Sequence, residues 1–211
     1  MKRSFQYWIN KKEHAFEYDT EATTIDLSTL EGTTKIGKGF LLECQKLASL
    51  DLSSLKKVTE IGKGFLWNCE RLTYLDLSPL KNVTKIGEGF LGYCGGLASI
   101  DLSALSNVTE IKDLFLVNCF SLASIDLSSL NKVTKIGDWF LGGCQGLTSV
   151  DLSPLKNVTK IGYWFLGACQ GLTSVDLSPL KGVTEIGYAF LEWTRFELTD
   201  EQQQWIKDRQ T

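Results

Sequence analysis

Six cysteines, Cys44, Cys69, Cys94, Cys119, Cys144 and Cys169, follow one another at intervals of 25 residues. Seven aspartates, Asp26, Asp51, Asp76, Asp101, Asp126, Asp151 and Asp176, keep the same interval and each opens an Asp-Leu-Ser tripeptide. Thiols and carboxylates are the groups of nucleophilic catalysis, metal binding and acid–base chemistry, so both columns are candidates for those uses. A catalytic thiol needs a base beside it. The single histidine, His14, stands alone near the start of the chain and reads as an ordinary surface or cap residue. General acid–base catalysis needs two carboxylates in unlike environments, whereas these aspartates are copies of one another. Tetrahedral zinc is not made by one thiolate per turn in a straight line. Neighbouring thiols about 4.8 Å apart and pointing in parallel are awkward partners for a disulfide, which wants Cβ atoms about 3.8 Å apart. The cysteines are therefore expected to be small buried packing residues, with no metal, no cofactor and no enzymatic role. Calcium is disfavoured because carboxylates from adjacent turns would have to share the ion.

The elements that position these columns repeat with them. In the turn from Leu72 to Cys94, Leu72, Leu75 and Leu77 alternate with Tyr74, Asp76 and Ser78, the pattern of a short strand. Pro79 follows it, and Leu80, Val83 and Ile86 then recur every third residue around a narrow core. Gly87 relieves a tight or left-handed backbone position, and Phe90 and Leu91 plug the interior before about one helical turn leading to Cys94. This reading places parallel strands near Leu27, Leu52, Leu77, Leu102, Leu127, Leu152 and Leu177 in one open sheet. No segment is long enough to fold alone, so each turn buries its apolar face on its neighbours. The aspartates then project from the sheet, where like charges one strand apart repel, and the serine column from Ser28 to Ser178 supplies hydrogen-bond donors to them.

The chain of 211 residues is 43% hydrophobic and 22% charged, with 22 Lys plus Arg against 25 Asp plus Glu. A net charge of −3 offers no basic excess for nucleic acid or an anionic membrane. No apolar run approaches a membrane span. Met1-Lys2-Arg3 resembles the start of a signal peptide, but Gln6, Asn10, Lys11, Lys12 and Glu13 interrupt the apolar core that should follow. As written, the sequence is expected to be cytoplasmic, and surface-bound or secreted if a leader is missing.

The leucine placement and the period fall within those of leucine-rich repeats. More narrowly, Ile-Gly-x-x-Phe-Leu-x-x-Cys followed by Leu-x-x-Ile-Asp-Leu resembles the BspA-like and treponemal class, over residues 22–193. That class reads Ile-Gly-x-x-Ala-Phe-x-x-Cys and then Leu-x-x-Ile-x-Ile-Pro. Here Phe140-Leu141 and its equivalents stand for Ala-Phe, and Asp-Leu-Ser stands for Ile-Pro. The resemblance implies a right-handed α/β solenoid, with a curved parallel sheet on the concave face and short turns or one-turn helices on the convex side. It also implies surface or secreted proteins, some of which bind matrix proteins or other cells. Residues 1–21, with Ala15-Phe16 lying 25 residues before Phe40-Leu41, read as a degenerate N-terminal capping turn. Residues 22–193 form the solenoid, and residues 194–211 hold a C-terminal capping helix that begins with a Thr199–Gln202 capping box.

Columns that packing leaves free are where specificity resides. The column Lys35, Glu60, Lys85, Glu110, Lys135, Lys160 and Glu185 mostly alternates in sign, which suits weak ion pairs between turns. The two residues before each core phenylalanine change along the chain, from Lys38-Gly39 and Lys63-Gly64 to Asp138-Trp139, Tyr163-Trp164 and Tyr188-Ala189. Trp139, Trp164, Tyr163 and Tyr188 are expected to form an aromatic edge, either as an interface anchor or as packing under the terminal helix or into space left by glycines such as Gly142 and Gly143. Asp76, Asp101, Asp126 and Asp151 are the competing binding face, while Tyr74, Trp67 and Tyr93 read as isolated. The expected function is non-catalytic protein binding, with a protein partner or a second copy of the chain, and the family resemblance implies a link to adhesion or host interaction. A purely structural or self-assembling repeat is the alternative.

Overall fold

The computed structural model describes residues 21–211. His14 and the expected N-terminal capping turn lie outside the described residues, apart from Glu21. Each turn enters a short 3-10 helix directly after its aspartate, as in Ser53–Leu55, Ser78–Leu80 and Ser153–Leu155. A two-residue strand follows: β1 (Lys35–Ile36), β2 (Glu60–Ile61), β3 (Lys85–Ile86), β4 (Glu110–Ile111), β5 (Lys135–Ile136), β6 (Lys160–Ile161) and β7 (Glu185–Ile186). The strands pair in parallel with their equivalents in the next turn, Ile36 with Ile61 and Ile61 with Ile86. This is a leucine-rich repeat solenoid, but its ladder strands lie one station later than the sequence pattern suggests. Leu52 and its equivalents cap the 3-10 helices, with φ −91° and ψ 7° at Leu52. The aspartate is the reason. Its Oδ1 accepts the backbone N–H of the serine two residues on, at 2.8 Å for Asp51 and Ser53, which closes a turn with an amide that a strand would have used. Ahead of the aspartates, among the described residues, only some neighbouring turns share a backbone bond, such as Ala123 N to Ala98 O at 3.2 Å.

The interior is a set of columns. Phe40, Phe65, Phe90, Phe115, Phe140, Phe165 and Phe190 stack ring on ring at 5.1–5.8 Å. Most leucines, valines and isoleucines of the turns are buried around them, with Ile25 and Ile125 only partly so, and among the described residues no polar or charged residue is buried. The segment expected to make a helical turn before each cysteine is not helical. Its residues alternate into the left-handed region, as at Gly64 (φ 73°), Leu66 (φ 52°) and Asn68 (φ 60°). Turn-to-turn bonds such as Leu66 N to Phe40 O (2.8 Å) hold that geometry.

The parallel strands fall into two sheets, β1-β2-β3 and β4-β5-β6-β7, rather than one. Every other neighbouring pair of strands carries a threonine amide bond, as in Thr84 N to Thr59 O, and a glycine amide bond, as in Gly87 N to Ile61 O. Among the described residues the β3–β4 pair has neither, and Thr109 also lacks the Oγ1 bond to the preceding threonine carbonyl that Thr84 and Thr134 make. The break coincides with Lys112, which stands where the other turns have glycine. At Gly62 an added Cβ would lie 2.7 Å from the Gly37 carbonyl carbon, and at Gly87 2.5 Å from that of Gly62. Gly87 is thus required by close approach, without a left-handed φ. A lysine Cβ at this position forces the turns apart. Lys112→Gly is expected to join the two sheets and raise stability by about 1 kcal/mol, the restored bonds outweighing the entropy of the glycine. The thermal midpoint should then rise by about 2–4 °C. A lower midpoint would mean that chain entropy and the Lys112–Glu110 ion pair (2.8 Å) dominate the seam.

The charged column lies on the strands themselves. Lys35–Glu60 (2.8 Å) and Lys160–Glu185 (2.6 Å) are ion pairs, while Lys135 and Lys160 are register neighbours of like charge. At the far end, α1 (Asp200–Lys207) starts with the expected capping box, Thr199 and Gln202 each bonding the other's backbone.

Candidate functional site

All six cysteines are buried. From Cys69 onward each thiol donates to the carbonyl of the leucine that follows the core phenylalanine one turn earlier, Cys69 to Leu41 at 3.2 Å and Cys169 to Leu141 at 3.1 Å. Burial disfavours the thiolate, pushing Cys94 up to about 12 and Cys169 up to about 11. These groups suit packing rather than nucleophilic attack. Folded protein is expected to react with an aromatic disulfide reagent far more slowly at pH 8 than a free thiol does, whereas all six thiols should titrate at once in denaturant. Rapid reaction of several thiols in the fold would contradict the burial. Among the described residues no three His, Cys, Asp or Glu side chains group to hold an ion. No helix there is long and apolar enough to cross a membrane.

The aspartates are engaged locally. Asp76, Asp101, Asp126 and Asp151 each accept the backbone N–H of the serine two residues on at 2.8 Å, and the Ser78 and Ser153 hydroxyls bond the second oxygens of Asp76 and Asp151. The backbone bond from Ser128, with help from its hydroxyl, holds Asp126 below the usual carboxylate range; Ser53 and Ser178 do the same for Asp51 and Asp176. The sign follows. A lowered folded pKa contributes stability at neutral pH that is lost as pH falls through the folded value.

The aromatic edge is assembled from neighbouring columns. Trp139 and Trp164 are half-buried and stack at 4.6 Å with their planes 6° apart. Trp193 meets Trp164 edge-on at 5.0 Å. Tyr163 and Tyr188, in the adjacent column, stack at 6.0 Å and are both exposed. Each indole lies over a glycine three residues on: a Cβ on Gly142 would sit 2.8 Å from Trp139, and one on Gly167 2.6 Å from Trp164. The local fold is unusual for tryptophan, because Trp139 and Trp164 both have φ 59°, in the left-handed region that Gly39, Gly64 and Gly89 occupy in the early turns. Trp193 is the residue that sequence reasoning passed over. It lies 25 residues after Ala168, which marks it as part of the same repeat, although the cysteine rhythm fails one residue later at Thr194. Trp67 and Tyr93 are not isolated either. Their rings pack at 4.8 Å, because residues one turn and one position apart come side by side.

A BspA-type leucine-rich repeat model matches the chain in six copies, over residues 10–131 and 109–200. No curated protein sequence matches it. Among solved structures, the Treponema pallidum leucine-rich repeat protein is 20% identical with a TM-score of 0.64, over 89% of this chain and 83% of that one. A leucine-rich repeat protein from Bacteroides ovatus is 22% identical with a TM-score of 0.50, over 77% of this chain and 48% of that one. The functional domain of InlJ from Listeria monocytogenes, described as including a cysteine ladder, is 17% identical with a TM-score of 0.45. The match to InlJ covers 84% of this chain and only 43% of that domain. At these identities the structural likeness concerns the fold. With the model matched from residue 10 to residue 200, on turns that stack cysteine on cysteine and phenylalanine on phenylalanine, the chain belongs to the BspA-type leucine-rich repeat family.

Proposed function

We propose that the solenoid is a non-catalytic protein-binding scaffold whose partner docks on the aromatic edge of its last turns. The observation that carries this reading is the Trp139–Trp164–Trp193 cluster. Its outermost ring, Trp193, is 71% exposed. Glycine satisfies the same backbone position in three earlier turns, and the phenylalanine column already fills the core without the indoles. Leu114 and Ala189 hold the same left-handed φ at this station, and relative to the glycines of the early turns each tryptophan there costs of order 1–3 kcal/mol. Half-buried rings beside an exposed one supply apolar area at little ordering cost, as interface anchors do. Asp76, Asp101, Asp126 and Asp151 would add a salt-sensitive electrostatic contribution for a basic partner, their first task being the turn that follows each of them. Adhesion, which the family resemblance suggests, would be the same mode of binding with a surface protein as partner.

The test is Trp139→Gly with Trp164→Gly. Glycine relaxes the backbone there, so the fold should survive, as judged by circular dichroism and thermal unfolding. Association with a partner captured from native or host extracts should weaken by about 2 kcal/mol or more. Tyr74→Ser, which restores the serine of the other turns, should leave it unchanged. Sedimentation of the purified chain, with and without the substitutions, separates a foreign partner from a second copy. Full retention of binding by the glycine variant would assign the indoles to packing alone.

A further inference from the structure

We propose that a notch near the middle of the solenoid is a recognition pocket for an arginine side chain of a protein partner. The notch has a volume of about 390 Å³ and is lined by Asn68, Glu70, Tyr93, Gly95, Gly96 and Phe120. It exists because of one residue. Gly96 is demanded by the backbone, since a Cβ there would lie 2.6 Å from the Glu70 carbonyl oxygen. Gly95 is not. A Cβ at Gly95 would meet only Phe120 Cδ2 at 3.3 Å, and its φ is not in the left-handed region. The equivalent residues are Gln45, Glu70, Phe120, Gln145 and Gln170, so this turn alone leaves the space between its neighbours empty.

What surrounds that space is specific in chemistry. Tyr93 is 37% exposed and braced by Trp67, and Phe120 is 47% exposed although it lies beside a fully packed core. Glu70 is exposed and takes part in no ion pair among the described residues. Two aromatic rings and one carboxylate around a glycine floor match a planar cation. A guanidinium stacks on a ring face while its N–H groups donate to the carboxylate. A neutral apolar side chain would bury Glu70 without a partner, and an ammonium cannot stack. Tyr93 stands in the column of Trp193, four turns earlier, which is roughly 19 Å at about 4.8 Å per turn. A single extended segment of the partner thus reaches both. The inference rests on the proposed scaffold role only in taking the arginine to belong to a protein.

The experiment uses a small probe, so its failure is distinct from failure of the tryptophan edge. The full 15N-labelled chain is titrated with N-acetyl-arginine N-methylamide and, in parallel, with the neutral citrulline analogue. Saturable amide shifts are expected at Gly95, Gly96 and Phe120 with the arginine probe, and affinity should fall about fivefold or more for the citrulline probe. Glu70→Gln should weaken the arginine probe by a similar factor, and Gly95→Gln, which restores the residue of three other turns, should abolish binding while leaving distant amides in place. Phe120→Gln, of the same origin, gives an independent check on the aromatic wall. The proposal is overturned if the arginine probe gives no saturable shifts there, if citrulline binds as tightly, or if Gly95→Gln binds like the parent.

Discussion

Deleting residues 199–211 is expected to destabilise the chain by about 5 kcal/mol and to drive association through the end that it exposes. The segment does two things at that end. As a lid, α1 buries Ile206 and sets Trp205 edge-on against Phe190, with ring centroids 6.4 Å apart. Burying such side chains contributes about 1.5–3 kcal/mol each. As a substitute strand, residues 209–211 run beside β7, with Ile186 N bonding Arg209 O at 2.9 Å and Thr211 N bonding Ile186 O at 3.1 Å. Arg209 ties the two parts together: its Nε donates to Val183 O at 2.9 Å, its Nη1 donates to Trp205 O at 3.0 Å, and its guanidinium lies over the Trp205 ring. Without the segment, Phe190 and Leu191 meet water and the β7 edge is unpaired, a template for another chain. Chemical denaturation and size-exclusion chromatography of the truncated chain read both effects. Trp205→Ala with Ile206→Ala should reproduce most of the stability loss while leaving the β7 edge covered, so association should be milder. A truncated chain as stable and as dispersed as the parent would show that the last repeat closes itself.

Much of this architecture was legible because a repeat averages away local ambiguity. Seven aligned phenylalanines and six aligned cysteines leave little freedom about which side chains stack on which, and the Thr199–Gln202 box marked the helix start. What was not legible was a competition between side chain and backbone. Leu75 and Leu77 alternate as in a strand, and nothing in hydrophobic spacing says that Asp76 will capture the Ser78 amide and divert the chain into a 3-10 helix. Lys112 is the one break in the Ile-Gly column, and sequence reading passed over it. Its consequence depends on how closely the turns pack, since a Cβ added at Gly62 or Gly87 would lie 2.5–2.7 Å from the backbone of the preceding turn. The candidate site divides in the same way. Trp139 and Trp164 stood out as substitutions in a glycine column. Trp67 and Tyr93 were hidden because their contact is offset by one residue from the repeat, and the Gly95 notch because it is defined by a missing side chain.

Phe140→Ala is expected to cost about 4 kcal/mol, within the range for a fully buried aromatic ring, and more than the same change at Phe190. Phe140 is 0% exposed and has a stacked ring on each side, Phe115 at 5.8 Å and Phe165 at 5.4 Å. In a solenoid each turn touches only its neighbours, so a void in an inner turn weakens two interfaces and uncouples the turns on either side. Phe190 has one stacked neighbour, with Trp205 closing its other side, and its loss frays one end while the remaining turns hold together. Equilibrium unfolding in denaturant should therefore show a broadened or two-step transition for Phe140→Ala, and a modest shift of a single transition for Phe190→Ala. Equal losses with equally sharp transitions would mean that the chain melts as one unit, and the nearest-neighbour account would fail. The functional consequence follows from position in the chain. Trp139 is bonded to Phe140, and its left-handed backbone is fixed by the turn-to-turn bond from Trp139 N to Tyr163 O at 2.7 Å. Loosening the ring beneath should loosen that anchor, so partner binding at the aromatic edge should fall for Phe140→Ala although no surface residue has changed. Phe65→Ala, equally buried but remote from the tryptophans, should reduce stability while leaving binding of the folded fraction intact.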